Sequence, residues 1–411
     1  MSHTRVVRVV LALLAVGVCL LLMQSAARTG FSRLLSRYAI GANSLAAADQ
    51  AIQLTPSDAE AHRARATVLN RLHRPAEAKV SLETATSLRS QQATLWLELG
   101  ATREELGETE AALAAFDQAV RCAPHYGETR WQRGNLLLRM GRHDEAFTDL
   151  RAAARSNPKF FPNVIDLAWG ITGGVASATD NLLQIDNDAE RLAFARFLAT
   201  KGKGGDVSEQ VRLLNARLSE ENKNELVQLL ARSRRFTEAF ALAQGSAKSE
   251  GVVNGGFEEP LAFGNEYFRW VVSREQSGAK PAVDVAEKFS GERSLQVSFN
   301  GDWDVNAALL SQTIVVSPGQ RYRLSFALKT KDLVTGGPPR IVLIDATNEQ
   351  ILATSETFPQ STELWQQLNV EFTTAPTAEA IVVSLKRENC ASSPCPIFGA
   401  MWLDEFALEK L

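Results

Sequence analysis

The sequence has few of the side chains on which enzymes and metal sites depend. It contains 5 histidines and 4 cysteines in 411 residues, and the last histidine is His143. The histidines lie at scattered positions, so their spacing predicts neither a metal triad nor a nucleophile–base pair. A zinc site is disfavoured because only Cys390 and Cys395 lie close together and no second ligand pair exists. We therefore expect no enzymatic activity.

An excess of positive charge is also missing. The chain has 44 lysines and arginines against 47 aspartates and glutamates, and residues 251–411 hold 13 basic and 20 acidic side chains. Proteins that bind nucleic acids carry a basic surface, so we expect no DNA or RNA partner. The length and the 45% hydrophobic content predict two or three folded units instead of a disordered chain.

Small and large apolar residues recur with a period of 34 residues. The first copy comprises Trp96, Leu99, Gly100, Gly107, Ala112, Phe116, Ala119 and Pro124, and the second comprises Gly134, Gly141, Ala146, Leu150, Ala153 and Pro158. This period is typical of tetratricopeptide repeats, which are helical hairpins that stack into a solenoid with a concave groove. The sequence predicts such repeats over residues 29–160 and degenerate helical repeats over residues 161–247.

An uninterrupted apolar run precedes the repeats. It extends from Val9 to Met23, with Arg8 in front of it, and its apolar flanks make it long enough to span a bilayer. A cleaved signal peptide is the alternative, since Ser25 and Ala27 are small residues at an acceptable cleavage spacing. We favour an uncleaved anchor over residues 1–28, because no turn-forming segment separates the run from the repeats.

The apolar period changes from 3.6 to 2 beyond Gly251. Tyr322, Leu324, Phe326 and Leu328 alternate with polar or small neighbours, and similar runs follow. About eight or nine short strands separated by turn residues predict an antiparallel β-sandwich of jelly-roll type over residues 251–411. Near its end, the spacing of Cys390 and Cys395 permits a disulfide in an oxidising compartment, and two free thiols are the alternative.

Five segments of this region resemble a carbohydrate-binding module of the galactose-binding-like jelly-roll type. They are Val253–Glu258, Phe289–Leu295, Gln312–Phe326, the strand at Trp365, and Trp402–Glu405. The resemblance implies a structural calcium ion held by Glu258 and Asp404, with carbonyl groups of the turn at 290–293 as further ligands. Oxygen ligands suit this hard cation. The alternative is that both carboxylates cap turns.

Sugar binding by such sandwiches relies on aromatic faces and a few polar partners. Trp303 lies between two aspartates in a polar loop and is our first candidate for an exposed glycan-binding residue, followed by Tyr267. Trp270, Trp365 and Trp402 alternate along strands and are expected in the core. The alternative for Trp303 is that it covers the sandwich edge.

The concave groove of the repeats is the second candidate surface. Its predicted lining is Arg63, Asn70, Arg71, Leu97, Glu104, Glu105, Trp131, Asn135 and Arg139. Repeats that clamp a C-terminal carboxylate carry lysine and asparagine at the fifth and ninth positions of the first helix. Here these positions hold Arg63 and Thr67, Leu97 and Ala101, Trp131 and Asn135. An extended peptide or a helix of a protein partner therefore fits the groove better than such a carboxylate.

Together these features predict a multidomain chain with a transmembrane helix, an α-solenoid and a C-terminal jelly roll. We expect it in the inner (cytoplasmic) membrane as a single-pass protein with its bulk extracytoplasmic or periplasmic. Flanking charge does not decide this orientation, but the sandwich and the cysteine pair favour it. The expected function is a scaffold that binds a protein and a glycan, in exopolysaccharide or cell-envelope assembly. The alternative is a protein–protein assembly factor whose sandwich binds no glycan.

Overall fold

The computed structural model describes residues 2–244, 251–263, 267–273, 278–301, 303–391 and 394–411. The chain divides into two compact units, Met1–Gln184 and Ile185–Leu411. In its described residues, the first unit is helical and the second combines four helices with two β-sheets. The second unit therefore begins before the change in composition near Gly251, because it includes the helices that precede the sandwich.

The first unit is a succession of helical hairpins. Its helices are α1 (Ser2–Ala42), α2 (Leu45–Leu54), α3 (Ala59–Arg71), α4 (Pro75–Leu88), α5 (Ala93–Glu105), α6 (Thr109–Cys122), α7 (Gly127–Arg139), α8 (His143–Ser156), α9 (Phe161–Ile171) and α10 (Ala176–Leu183), with a short 3-10 helix at Pro158–Phe160. Local signals set the boundaries: the Asp58 side chain caps α3 by accepting from the backbone of Glu60 at 3.2 Å. Pro75 occupies the first turn of α4, where no amide hydrogen is needed.

Small residues stand where the two helices of a hairpin approach most closely. A Cβ atom on Gly100 of α5 would lie 2.5 Å from the ring of Phe116 on α6, and one on Gly134 of α7 would lie 2.9 Å from Leu150 on α8. Phe116 and Leu150 are fully buried. The predicted repeat packing is thereby confirmed, because these are the residues whose 34-residue spacing defines the pattern.

Helix α1 joins the apolar segment directly to the repeats. It is continuous over 41 residues, and its last third packs as the first helix of a hairpin. Ser32, Ser36 and Ala39 are buried there, and the Ser32 hydroxyl donates to the carbonyl of Ala51 at 2.8 Å. Residues Leu13–Ala42 form the one helix of the described chain that is long and apolar enough to cross a membrane, by length and composition.

The second unit contains four helices and eleven strands among its described residues. The helices are α11 (Asp188–Thr200), α12 (Gly204–Arg212), α13 (Glu220–Arg232) and α14 (Phe236–Gln244). The strands are β1 (Ala262–Phe263), β2 (Val271–Val272), β3 (Ala279–Asp284), β4 (Ser294–Gly301), β5 (Leu310–Val315), β6 (Arg321–Thr335), β7 (Pro339–Asp345), β8 (Ile351–Thr354), β9 (Gln366–Thr373), β10 (Ala380–Arg387) and β11 (Ile397–Lys410).

Two sheets face each other across one apolar core. Their strand orders are β1-β2-β5-β10-β7-β8 and β3-β4-β11-β6-β9, and all pairs are antiparallel except β1 with β2. The predicted alternation in β6 is confirmed, since Tyr322, Leu324, Phe326 and Leu328 are all buried. The final strand β11 lies in the middle of its sheet, between β4 and β6. This is the predicted β-sandwich with jelly-roll-like crossovers.

Candidate functional site

The predicted groove residues lie on the first helices of successive repeats, where polar side chains pair across neighbouring helices. Arg63 on α3 donates from Nε to Glu98 Oε1 on α5 at 2.7 Å. The Asn70 amide donates to the Thr102 hydroxyl at 2.9 Å. Burial raises the pKa of the Glu98 carboxyl, although the hydrogen bond and charge of Arg63 oppose this. These side chains are already engaged with each other.

The remaining charged groove residues differ in their partners. Arg139 on α7 forms an ion pair with Glu104 on α5, which continues the cross-helix pairing. Arg71 donates to the carbonyl of Ile40 and so ties α3 to the end of α1. Glu105 is exposed. A partner in this groove therefore meets a surface in which most charges are internally neutralised.

Trp131 provides the large aromatic surface of the groove. Its ring stacks on Phe160 with centroids 4.8 Å apart and planes inclined by 7°. Its backbone carbonyl accepts from the Asn135 amide at 2.8 Å, and Leu97 packs half-buried against the neighbouring apolar cluster. Phe160 was missed in the sequence because it follows the closing proline Pro158, the last position of the repeat pattern. The fixed stacking creates a two-ring platform.

In the second unit, Glu258 and Asp404 meet at the predicted turn. Asp404 Oδ2 accepts from the amides of Phe289 at 2.9 Å and Ser290 at 3.1 Å. Glu258 Oε1 accepts from the amides of Glu292 at 2.8 Å and Arg293 at 3.2 Å. Amide hydrogens of this turn, and not its carbonyl oxygens, thus face the carboxylates, unlike the predicted calcium site.

This arrangement resembles an anion nest more than a cation site. Backbone amides that converge on a carboxylate supply the positive partner that an ion would otherwise provide. Calcium takes six to eight oxygen ligands, and no cluster of three or more acidic, histidine or cysteine side chains suited to a metal occurs among the described residues. The backbone amides that donate to Glu258 and Asp404 therefore fit two carboxylates that cap a turn. Calcium at this pair stays a prediction.

Asp404 is fully buried. Burial raises the pKa of its carboxyl and the charge of Glu258 raises it further, against the lowering effect of its amide donors. The folded chain consequently binds this proton more readily than the unfolded chain. By linkage, the contribution of this group to stability is fully present below its unfolded pKa and is lost as the pH rises through its folded pKa.

Trp303 is buried, with 2% of its surface exposed, so the prediction that it is an exposed glycan-binding residue is wrong. Its ring stacks on Phe299 at 5.6 Å with planes inclined by 6°, and its indole nitrogen donates to the carbonyl of Ala307 at 3.2 Å. The Arg387 guanidinium also lies over the ring, 5.8 Å from its centroid. The sequence showed no sign of this packing, because the residues on either side of Trp303 are aspartates.

Arg387 is a buried charge near the end of the sandwich. It donates to the carbonyls of Gly337 at 3.0 Å and Trp303 at 2.7 Å, and to the Thr335 hydroxyl at 2.6 Å. It also donates to the carbonyl of Cys395 at 3.0 Å. No described carboxylate forms an ion pair with it, and burial lowers its pKa. Its role is to satisfy carbonyl groups from three separate segments.

The cysteine pair closes a loop beside Arg387. Cys390 and Cys395 form a disulfide. The Sγ atom of Cys390 would lie 3.2 Å from a Cβ on Gly336 and 3.3 Å from one on Gly337, so the turn between β6 and β7 packs closely on the disulfide. Cys122, on α6, is a half-buried free thiol.

Tyr267 is half-buried beside Phe268, whose ring centroid lies 6.1 Å from its own. It lines two cavities of the second unit, of about 620 Å³ and about 510 Å³. Asp302, the aspartate before Trp303, lies outside the described residues. Of the two predicted glycan-binding residues, Tyr267 alone is accessible from a cavity.

The other tryptophans of the sandwich differ from one another. Trp270 and Trp402 are buried as predicted, and the indole of Trp402 donates to Asp284 at 2.8 Å. Trp365 is half-buried, so its expected place in the core is wrong. Its ring lies 5.9 Å from that of the exposed Phe289. Trp365 directly precedes β9, where the alternation of the strand has not yet begun, and this explains its exposure.

Two family models match parts of this chain. Residues 93–126 and 127–160 each match the tetratricopeptide repeat, and residues 249–392 match a carbohydrate binding domain. The chain therefore carries tetratricopeptide repeats over residues 93–160 and, over residues 249–392, a region that matches a carbohydrate binding domain. Tetratricopeptide repeats indicate protein–protein interaction, and the carbohydrate-binding-type domain indicates glycan binding. Both resemblances inferred from the sequence are confirmed.

A curated protein matches one quarter of the chain. Protein FlbA of Caulobacter vibrioides is 31% identical over 101 residues, which make up 25% of this chain and 17% of that protein. The match thus spans about a sixth of the curated relative's length. Nothing about that protein's activity transfers to this chain on such a short match.

Solved structures resemble each part separately. MamA is 18% identical over 34% of this chain and 83% of its own, with a TM-score of 0.32. YrrB, a tetratricopeptide protein described as having an unusual peptide-binding site, is 24% identical over 38% of this chain and 84% of its own, with a TM-score of 0.32. A structure described as CBM4 is 15% identical over 39% of this chain and 99% of its own, with a TM-score of 0.30. Scores this low carry no argument about function.

Proposed function

We propose that this chain is a membrane-anchored extracytoplasmic scaffold that binds a protein through its tetratricopeptide repeats and a glycan through its C-terminal domain. The observation that carries the proposal is the succession of three parts in one chain: an apolar helix, protein-binding repeats and a domain of carbohydrate-binding type. Such a succession suits a protein that holds a partner beside a polysaccharide, in exopolysaccharide or cell-envelope assembly. The proposal assigns no catalytic step to the chain.

The geometry of α1 supports an anchor. The large apolar side chains between Leu11 and Met23 that the structure describes are more than half exposed, a surface that is costly in water and favourable in a bilayer. The helix continues without a break through Ser25 and Ala27, where the alternative signal peptide would be cut. The disulfide between Cys390 and Cys395 supports an oxidising compartment for the bulk of the chain.

The aromatic platform of Trp131 and Phe160 supports a peptide or a helix as the ligand of the groove. Aromatic anchors that are held in place lose little conformational freedom on binding and dominate many interfaces. The surrounding ion pairs, such as Glu104 with Arg139, neutralise their own charges. A partner with an apolar anchor residue therefore fits this groove better than a strongly charged one.

The protein-binding part of the proposal can be tested by crosslinking in cells. A photo-crosslinking amino acid placed at the exposed Glu105 is expected to trap a partner, and Trp131→Ala is expected to reduce the adduct about tenfold, because it removes the anchor ring. Val80 on α4 is 59% exposed and provides the control position, from which no adduct is expected. Equal adducts from both positions, or adducts that are insensitive to Trp131→Ala, would contradict the groove assignment.

Calcium, at Glu258 and Asp404, is the one ion that the sequence predicts for this chain, and this prediction can be tested. Because amide donors already satisfy both carboxylates, we expect the thermal unfolding of the full chain to be the same in EDTA and in millimolar calcium. The measurement is the melting temperature of the β-sheet signal under both conditions. A melting temperature that falls in EDTA and recovers with calcium, but not with magnesium, would establish the ion instead.

A specific observation favours the second candidate function, in which the C-terminal domain binds protein only. Trp303, the aromatic residue first expected to contact sugar, is buried. A domain of this fold retains its packing whether or not it retains a ligand. The two functions differ in whether any polysaccharide binds the chain.

A further inference from the structure

We propose that the glycan site lies in the cavity lined by α13, the end of α14 and the residues Val253, Glu259, Tyr267 and Arg269, with Tyr267 as its stacking surface. This inference rests on the proposed glycan binding and assigns it to a composite site, built by the helices as well as by the sandwich. The cavity measures about 620 Å³, within the range of about 300–1,000 Å³ that is usual for small-molecule sites.

The two walls of this cavity are fixed to each other. The ring of Phe240 on α14 meets that of Phe268 edge to face, with centroids 5.1 Å apart and planes at 84°. The backbone amide of Thr237 donates to Glu379 Oε2 at 3.4 Å, and Arg235 lies 3.7 Å from the same carboxylate. Helix α14 is therefore attached to the sandwich at its start and at its middle, and the helical side of the cavity is preformed.

The helical wall offers amides of the kind that bind sugar hydroxyls. Asn224 and Gln228 stand four residues apart on α13 and both line the cavity, so they project from the same face of the helix. Neither side chain has a hydrogen-bond partner within the described part of the chain. A side-chain amide donates and accepts at once, as neighbouring hydroxyls on a sugar ring require.

The charged groups of the cavity neutralise one another. Glu220 pairs with Lys223 at 2.7 Å, and Glu259 pairs with Arg269 at 3.0 Å. Asn254 holds Glu259 in place, since its side chain accepts from the Glu259 amide at 2.9 Å and donates to the Glu259 carbonyl at 3.0 Å. With no excess of either sign, the cavity suits a neutral glycan and not a polyanion.

Tyr267 gives this cavity the aromatic face that sugar binding needs. Its ring is backed by Phe268, and it also lines the second cavity, of about 510 Å³, together with Thr313 and Lys386. A glycan chain that stacks on Tyr267 thus has space to continue beyond one sugar. Trp365, another accessible aromatic residue of the second unit, lines neither of these cavities.

The test measures binding of neutral hexasaccharides to the full chain in a detergent without a sugar headgroup. The probes are hexasaccharides of β-1,4-glucan, β-1,3-glucan, β-1,4-mannan and β-1,4-xylan, titrated by calorimetry. We expect the unchanged chain to bind at least one of these hexasaccharides. Tyr267→Ala and the double variant Asn224→Ala/Gln228→Ala are expected to weaken the affinity for it about tenfold or more. Tyr267→Phe is expected to preserve the affinity, since the ring remains. Asn224 is exposed and Gln228 half-buried on the helix surface, so their replacement does not threaten folding.

Trp365→Ala is the matched control and is expected to bind as the unchanged chain does. If both cavity variants bind normally while the unchanged chain binds a hexasaccharide, the composite site is wrong and the proposed glycan binding stands. If Trp365→Ala alone loses binding, the composite site is also wrong, and the glycan site lies instead at the end of the sandwich near Phe289. If no hexasaccharide binds the unchanged chain, the composite site and the proposed glycan binding both fail.

Discussion

Replacing Arg387 with methionine is expected to lower the free energy of unfolding of the sandwich by about 3–5 kcal/mol, because each buried acceptor that loses its donor costs about 1–3 kcal/mol. Arg387 is 4% exposed, and its guanidinium donates to the carbonyls of Gly337, Trp303 and Cys395. Methionine fills similar space but leaves the carbonyls of Trp303 and Cys395 without this donor, and the Gly337 carbonyl keeps only the Thr335 hydroxyl at 3.4 Å.

The geometry of the guanidinium matters as well as its charge. Arg387→Lys keeps the charge but loses the planar fork that reaches several acceptors at once, so we expect it to lose most of the same stability. Lys386→Met is the control, because Lys386 is the preceding residue of β10 and points to the opposite face of the strand. Denaturant unfolding followed by tryptophan fluorescence is the measurement. An Arg387→Met chain within about 1 kcal/mol of the control would contradict this role.

Asp149→Ala is expected to destabilise the first unit by about 3 kcal/mol, because it breaks a buried ionic cluster. Asp149 on α8 is 1% exposed. It accepts from Arg130 Nη1 at 3.0 Å and from Arg133 Nη2 at 2.8 Å, and its hydrogen bond is the main cause of the raised pKa of Arg133. The variant leaves Arg130 without its carboxylate, whereas Arg133 keeps Asp117 at 2.9 Å.

The effect of Asp149→Ala can be followed by far-ultraviolet circular dichroism during denaturant unfolding. The described part of the first unit contains helices and no strands, so the helical signal reports chiefly on the repeats. Asp144→Ala changes an exposed aspartate on the same helix, and we expect it to cost less than about 1 kcal/mol. Equal losses in the two variants would show that burial of the cluster contributes nothing.

The local periods of the sequence predicted most of the fold. Gly100 and Gly134 occupy the close helix crossings because a 34-residue period places each opposite a large side chain on the second helix. The alternation around Phe326 identified the buried face of β6 because side chains of a strand point alternately to its two sides. Both signals are short-range, and they required no knowledge of distant contacts.

The interior position of Arg387 was also readable in the sequence. Ile381, Val383 and Leu385 alternate along β10 and are buried, and the same period places Arg387 on the inward face. Arginine is nonetheless rarely buried without a carboxylate, so the alternation alone does not predict a buried guanidinium at this position. Its carbonyl partners come from distant segments, which no local pattern reveals.

The candidate sites were less predictable, since they depend on long-range packing. Trp303 lies in a polar stretch of sequence and is nonetheless covered by Phe299 and Arg387. The cavity at Tyr267 requires α13 and α14 to pack on the sandwich, whereas the change of composition near Gly251 indicated separate parts. Glu258 and Asp404 do meet at the predicted turn, but only the structure gives the direction of its amides.

Co-sedimentation of the full chain, inserted in lipid vesicles, with insoluble polysaccharides tests the proposed scaffold function most directly. We expect the vesicles to sediment saturably with at least one polysaccharide and to be released by soluble fragments of the same polysaccharide. We also expect Trp131→Ala to leave this binding unchanged, because the repeats hold the protein partner. Sedimentation no greater than that of vesicles without the chain, for every polysaccharide tried, would show that the chain is not such a scaffold.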